Sequence, residues 1–264
     1  KNTTVFFYGI SDLRSSAPAV SENTAMASSV TYDGDKTSTL AAISFATTAG
    51  RESVTSYTGG VKEEVAKFSI DYDKTDGTTV KDTSIFFYGD SMLEAGATGV
   101  DQDTKMTRQV SFRDVALTDA EVSGLTSSSS SVAIGSNTYY RKSLTNFTGL
   151  KGEEKALNST SYSAINGATE LSYTEYTYDA TGIGYDTDSN TLDYVMTYRD
   201  DSKARYISKT VYDTRLGQGY EIANYSLGYD SSNNVKNTTV FFYGSNHNRT
   251  SDTTGGATPA YLVS

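Results

Sequence analysis

Apolar and polar positions alternate with a period of two in short runs along the chain, the pattern of β-strands. In residues 1–9, KNTTVFFYG, Val5, Phe7 and Gly9 fall on one face, and Phe6 and Tyr8 on the other. Aromatics on both faces predict a strand covered from both sides. The same nine letters recur at 236–244, a variant, KDTSIFFYG, lies at 81–89, and a looser one, LSYTEYTYD, at 171–179. Recurrence of this kind marks a repeat array, and this stretch is its strand A.

Three further strands follow each strand A. Strand B is SSVTYDGD at 28–35, RQVSFRD at 108–114 and VMTYRDD at 195–201, with Tyr32, Phe112 and Tyr198 equivalent. Strand C carries Ser, Thr and an aromatic at alternate positions: Ser53, Thr55, Tyr57; Ser143, Thr145, Phe147; Ser208, Thr210, Tyr212. Strand D keeps one spacing in three copies: Glu64, Ala66, Ser69, Tyr72; Glu154, Ala156, Ser159, Tyr162; Glu221, Ala223, Ser226, Tyr229. Asp76-Gly77, Asn166-Gly167 and Asn233-Asn234 follow strand D and tolerate positive φ, so each D is expected to form a hairpin with the next A. B and C form a second hairpin, short in copy three and lengthened by insertions in copies one and two.

The copies span 1–80, 81–170 and 171–235, with an incomplete fourth at 236–264. The expected fold is all-β: tandem four-strand antiparallel hairpin units stacked as a solenoid, spiral or fibre. The partial fourth copy and the start at Lys1 suggest a segment of a longer or polymeric array. The insertions 34–50 and 114–137 are expected to protrude as loops on one side and to be dispensable for folding. Within the second, Leu-Thr-Asp-Ala-Glu-Val suggests a short helix capped by Thr118 or Asp119.

Composition agrees with this reading. Ser and Thr exceed a quarter of the 264 residues, Tyr is abundant at 21 and Pro scarce at 2. The net charge of −10 argues against a nucleic-acid partner, because binding phosphate needs a basic face. No apolar run approaches the ~20 residues of a membrane-spanning helix, and without cysteine there are neither disulfides nor thiolate metal sites.

Candidate chemistry is sparse. A Ser-His-Asp site would have to use His247, the one histidine, in a polar stretch after strand A. Glu64, Glu154 and Glu221 could be paired carboxylates of a glycosidase, but a residue present in every repeat more often serves the fold, here by accepting a backbone amide at a strand start. No catalytic residue and no cofactor is expected, and the chain reads as a non-enzyme. Calcium is the metal to consider: Asp186, Asp188 and Asn190 alternate oxygen ligands as calcium loops do, and residues 71–77 approach that pattern. Asn2, Asn146, Asn158, Asn224, Asn237 and Asn248 stand in glycosylation triplets. The strand aromatics Phe7, Tyr8, Phe87, Tyr88, Phe242, Tyr243, Tyr72, Tyr162 and Tyr229 read as a ladder of rings stacked between repeats rather than as a sugar platform.

Tyr229-Asp230-Ser231-Ser232-Asn233 and Tyr178-Asp179-Ala180-Thr181-Gly182 resemble the Tyr-Asp-x-x-Gly opening of YD (Rhs-type) repeats, and Tyr72-Asp73-Lys74-Thr75-Asp76-Gly77 is a version one residue longer. In that family, hairpins wind into a large β spiral or shell on bacterial surface and toxin proteins. The resemblance implies a secreted repetitive β protein and lends no activity. It is confined to the hairpin turns, lacks the family's following Arg-Leu, and sits in a longer unit. The expected function is a structural component of an extracellular fibre, filament or cell-surface stalk whose partner is itself. The alternative is a glycan-binding adhesin or phage-type fibre module contacting surface glycans.

Overall fold

The computed structural model describes residues 1–179, 191–215 and 217–244. It is all-β and antiparallel, and the four-strand unit read from the sequence is present in three copies. Strand A is β1 (Asn2–Tyr8), β6 (Val80–Tyr88), β12 (Glu170–Asp179) and β16 (Val235–Val240). Strand B is β3 (Met26–Asp33), β8 (Met106–Arg113) and β13 (Thr191–Tyr198). Strand C is β4 (Arg51–Thr58), β10 (Asn137–Thr148) and β14 (Tyr206–Asp213). Strand D is β5 (Val65–Tyr72), β11 (Lys155–Tyr162) and β15 (Ile222–Tyr229).

The chain forms two compact units, 1–155 with 162–169, and 156–161 with 170–264. In the first the sheet order is β1-β3-β4-β5-β6-β8-β10. Short strands β2 (Leu13–Arg14), β7 (Leu93–Glu94) and β9 (Ser131–Ile134) pair with β1, β6 and β10. In the second unit the order is β11-β12-β13-β14-β15-β16. Each strand pairs with its neighbour in sequence, so a copy joins the next through a D–A hairpin, as β5 joins β6. Copies therefore continue one another edge to edge in a sheet.

The register slips by one residue at the signature aromatic of each strand. Tyr8 faces Met26 and skips Ala27, Tyr32 faces Arg51 and skips Glu52, Tyr57 faces Ala66, and Tyr72 faces Val80. The second unit repeats the slip at Tyr178, Tyr198, Tyr212 and Tyr229. Such bulges bend a strand and raise its twist, so the aromatic marks where each strand turns away.

The faces of the first unit differ. One carries Val5, Phe7, Val30, Tyr32 and Val54, continuing into Phe68, Ile70, Ile85, Phe87, Val110 and Phe112, all buried. The insertions lie on this face and do not protrude. Residues 34–50 bring Leu40, Ile43 and Phe45 down, with Phe45 edge-on to Phe7 at 5.6 Å. Residues 114–137 bring Val115, Leu117, Val122 and Val132. The helix expected there is α1 (Asp119–Val122), closed by a capping box between Thr118 and Glu121.

The opposite face is lined with hydroxyls. Ser29, Thr55, Ser69, Ser84 and Ser111 follow one another across β3, β4, β5, β6 and β8. Thr55 donates to Ser69 at 3.2 Å, and Ser84 and Ser111 lie 2.7 Å apart. Ser161–Ser172, Thr174–Thr197 and Thr210–Ser226 make such cross-strand pairs in the second unit. The Ser and Thr richness of the chain is thereby a packing feature. Where this face turns apolar, residues 89–105 cover it: Ala95 packs with Val65 and Tyr88, flanked by Phe86, Val100 and Met106. Strand A is covered from both sides in copy two as expected, whereas Phe6 of copy one is 48 % exposed.

Copy three has no B–C insertion. Its corresponding face carries a row of rings across four strands, Tyr173, Tyr198, Tyr206 and Tyr229, with successive centroids 6.3, 5.7 and 5.3 Å apart. The aromatic ladder thus runs across strands within one copy, not between equivalent rings of successive copies. Phe7 and Phe87 instead belong to the insertion-covered core, and Phe242 is exposed.

Candidate functional site

The feature common to all copies is the junction between one D strand and the strand A that follows it. Tyr88 donates its hydroxyl to the Ala66 carbonyl at 2.6 Å, Tyr178 to Ala156 at 2.9 Å, and Tyr243 to Ala223 at 2.6 Å. Each bond links the signature aromatic of strand A to the invariant alanine of strand D. Burial pushes the hydroxyls of Tyr88, Tyr178 and Tyr243 up from their ordinary value, which keeps them protonated as donors. Tyr8 occupies the same strand position at the outer side of β1, where β2 pairs only with Phe7 and Tyr8.

The recurring glutamates stand at the start of the same D strands but bond within their own copy, to the start of strand B. Oε1 of Glu64 accepts the Met26 amide at 2.9 Å, that of Glu154 the Met106 amide at 3.1 Å, and that of Glu221 the Leu192 amide at 2.8 Å. Oε2 of Glu154 and of Glu221 accepts the amides of Gly152 and Gly219, each at 2.8 Å. The role read from the sequence, a carboxylate serving a strand-start amide, is the one observed. Burial pushes the Glu154 carboxyl up, but the amides it accepts and Lys151 outweigh that and leave it below its ordinary 4.5. A folded pKa below the unfolded one adds stability that is in place above that ordinary value and is lost as pH falls through the depressed one. Glu154→Ala, which orphans the Met106 amide, is expected to cost about 1–3 kcal/mol in a urea titration at pH 7. Below pH ~4 the gap to the wild type should narrow; a gap unchanged between pH 7 and pH 3 would show that the carboxylate charge plays no part.

A second feature is a cleft of about 570 Å³ in the first unit, between the two insertions. Phe45, Val54, Phe68, Tyr57, Leu117 and Asp119 are among its walls. Lys67 lies beside it, 3.2 Å from the Asp119 carboxylate and 3.1 Å from the Ser123 hydroxyl.

The remaining sequence candidates are dispersed. Asp186, Asp188, Asn190, His247 and Asn248 lie outside the described residues. In the run 71–77 two of the three carboxylates serve the turn itself: Asp73 accepts the Thr75 amide at 2.9 Å, and Asp76 accepts the amides of Thr78 and Thr79 at 2.8 Å. The Thr79 hydroxyl and these amides hold the Asp76 carboxyl down at about 2. Among the described residues no three acidic or histidine side chains gather as a metal site would require. The Tyr178-Asp179 run closes strand A and so opens an A–B connection, not a D–A hairpin. Of the glycosylation triplets, Asn2 and Asn237 are exposed, Asn146 accepts from Arg108 at 2.7 Å, Asn158 is half-buried, and the side-chain oxygen of Asn224 is enclosed. The tyrosine-to-alanine bond had a sequence signal: Ala at one spacing in every D and Tyr at one spacing in every A. No known protein family matches the chain, and neither does any curated protein.

Proposed function

We propose that the protein is a structural component of an extracellular or cell-surface array that grows by adding β repeats, with copies of itself as partner and no catalytic role. The observation that carries this reading is the junction bond made alike by Tyr88, Tyr178 and Tyr243. A further copy needs no new kind of contact, which is how quasi-one-dimensional repeat proteins extend. The buried surface serves the sheet, and the invariant glutamates are engaged with backbone amides. The YD-repeat likeness of the turns agrees with a secreted repetitive protein. Negative-stain micrographs of native material are expected to show filaments or stalks of uniform width; discrete particles of single-chain size would overturn the reading.

A glycan-binding module is the second reading, and the aromatic-walled cleft between the insertions favours it. Binding on a glycan array, lost when Phe45 or Tyr57 is changed to Ala, would support it.

A further inference from the structure

We propose that the outer edge of β1 accepts β15 of a second copy, so that copies join head to tail by exchanging one strand. The inference rests on the array reading and names its partner. Residues 1–9 and 236–244 are identical in sequence, and the structure shows what binds the second set. On β15, Val240 faces Tyr225, Thr239 faces Ser226, Thr238 faces Leu227 and Asn237 faces Gly228. The Phe241 amide donates to the Asn224 carbonyl at 3.1 Å, and Tyr243 bonds Ala223. Asn237 lies against Gly228, where a β-carbon would come within 2.0 Å of its side-chain oxygen, so the register is keyed. Val5, Thr4, Thr3, Asn2, Phe6 and Tyr8 repeat every one of these positions.

The backbone of β1 is disposed to accept such a strand. The Gly9 amide bonds Ala25 on the β3 side, so by strand alternation the even residues Asn2, Thr4 and Phe6 turn their backbone groups to the other side. There β2 reaches only Phe7 and Tyr8. Copy two shows that the two neighbours coexist, since β6 pairs with β7 at Phe87 and Tyr88 and with β5 from Val80 to Ile85. The two versions of the strand also differ in support. Val5 and Phe7 are anchored in a core, whereas β16 is exposed along nearly its whole length. Exchange replaces a strand that packs on little with an identical one carrying its own covered face.

The test uses the full chain and two prolines. Thr239→Pro removes an amide that faces β15 and should loosen the chain's own β16. Thr4→Pro removes the equivalent outward amide of β1 and leaves its β3 pairing intact, a position where edge strands tolerate proline. Light scattering across concentration should show wild type assembling with concentration and Thr239→Pro doing so at roughly tenfold lower concentration. The double variant should stay monomeric, with an unchanged circular-dichroism spectrum. Should either proline variant misfold, Tyr8→Phe serves instead, because it removes only the hydroxyl that would reach Ala223 and should raise the midpoint concentration. Thr239→Pro remaining monomeric, the double variant assembling like Thr239→Pro, or Tyr8→Phe leaving the midpoint unmoved would each overturn the exchange. Filaments in native material beside a chain that stays monomeric would overturn it while leaving the array reading intact; assembly of the chain without filaments in native material would do the reverse.

Discussion

Replacing residues 115–136 by a short turn of the kind copy three uses at Arg199-Asp200-Asp201-Ser202 is expected to unfold the first unit at room temperature. Val115, Leu117, Val122 and Val132 each retain under 10 % of their exposure, and beneath them Ile85, Val110 and Phe112 retain none. Fully burying one such side chain is worth about 1.5–3 kcal/mol. Four lost from the insertion and three uncovered on the sheet come to roughly 10–20 kcal/mol, as large as the ~5–15 kcal/mol by which a whole domain is stable. The insertion also satisfies a buried hydroxyl, since Thr83 donates to the Val115 carbonyl at 2.5 Å. A urea melt followed by circular dichroism measures the effect. A deletion variant that still melts cooperatively, within about 2 kcal/mol of wild type, would return the insertion to the status of a surface loop.

The expectation that the insertions protrude fails for a physical reason. The insertion is rich in Ser and Thr, including the run at 127–131, and composition of that kind reads as solvated loop. Its four core residues are scattered at 115, 117, 122 and 132 without a strand or helix period, so no pattern reports that they share a side. The regular strands were legible because each repeats: a frame such as Glu64, Ala66, Ser69, Tyr72 found three times fixes an element with more certainty than alternation in one copy. The capped turn at Thr118 was legible because its signal is local, the Thr and Glu three apart.

The register slips were not legible. A one-residue step changes no letter, and only the pairing of Tyr8 with Met26 rather than Ala27 reveals it. The ladder was misplaced for a related reason. Equivalent aromatics are neighbours in space only where copies stack face to face, whereas in an edge-to-edge sheet three strands separate them. The rings that do meet belong to successive strands. Two of them, Tyr173 and Tyr206, stand where copies one and two have Thr3 and Arg51, or Thr83 and Arg141. There Arg51 and Arg141 lie over Tyr72 and Tyr162 at 4.0 and 3.8 Å. The substitutions in copy three accompany the absence of its B–C insertion: among the described residues, the row is made of rings packed on one another.

The same exchange decides the fate of the turn residues. Gly77→Ala and Gly167→Ala are expected to be among the most damaging single changes in the chain, whereas alanine at Asn233 should cost far less. All three positions have φ near +60° (63°, 60° and 63°) after a D strand. A β-carbon at Gly77 would lie 1.8 Å from the Thr48 carbonyl oxygen, and one at Gly167 2.2 Å from that of Ser130. Those carbonyls belong to the insertions and are engaged, accepting the amides of Arg51, which opens β4, and of Arg141, where β10 begins its pairing with β8, each at 2.9 Å. Copy three has no insertion, so the space above its turn is filled by a side chain. Asn233 accepts the equivalent amide, that of Tyr206, through its Oδ1 at 2.9 Å and donates to the Ala204 carbonyl at 3.0 Å. One amide where each strand C begins its pairing with strand B is thus satisfied by an insertion backbone above a glycine, or by an asparagine standing in for that backbone. Alanine at Gly77 must displace the insertion or the turn and break that bond, on top of positive-φ strain of order 1 kcal/mol or more. A total loss of roughly 3–5 kcal/mol follows. Asn233→Ala forfeits two hydrogen bonds at an exposed turn and the ease with which Asn adopts positive φ, but meets no insertion backbone, and should cost about 2 kcal/mol. The ordering of the two losses in chemical denaturation is the check. Equal costs at Gly77 and Asn233 would mean that φ alone, and not the insertion backbone, sets the requirement for glycine.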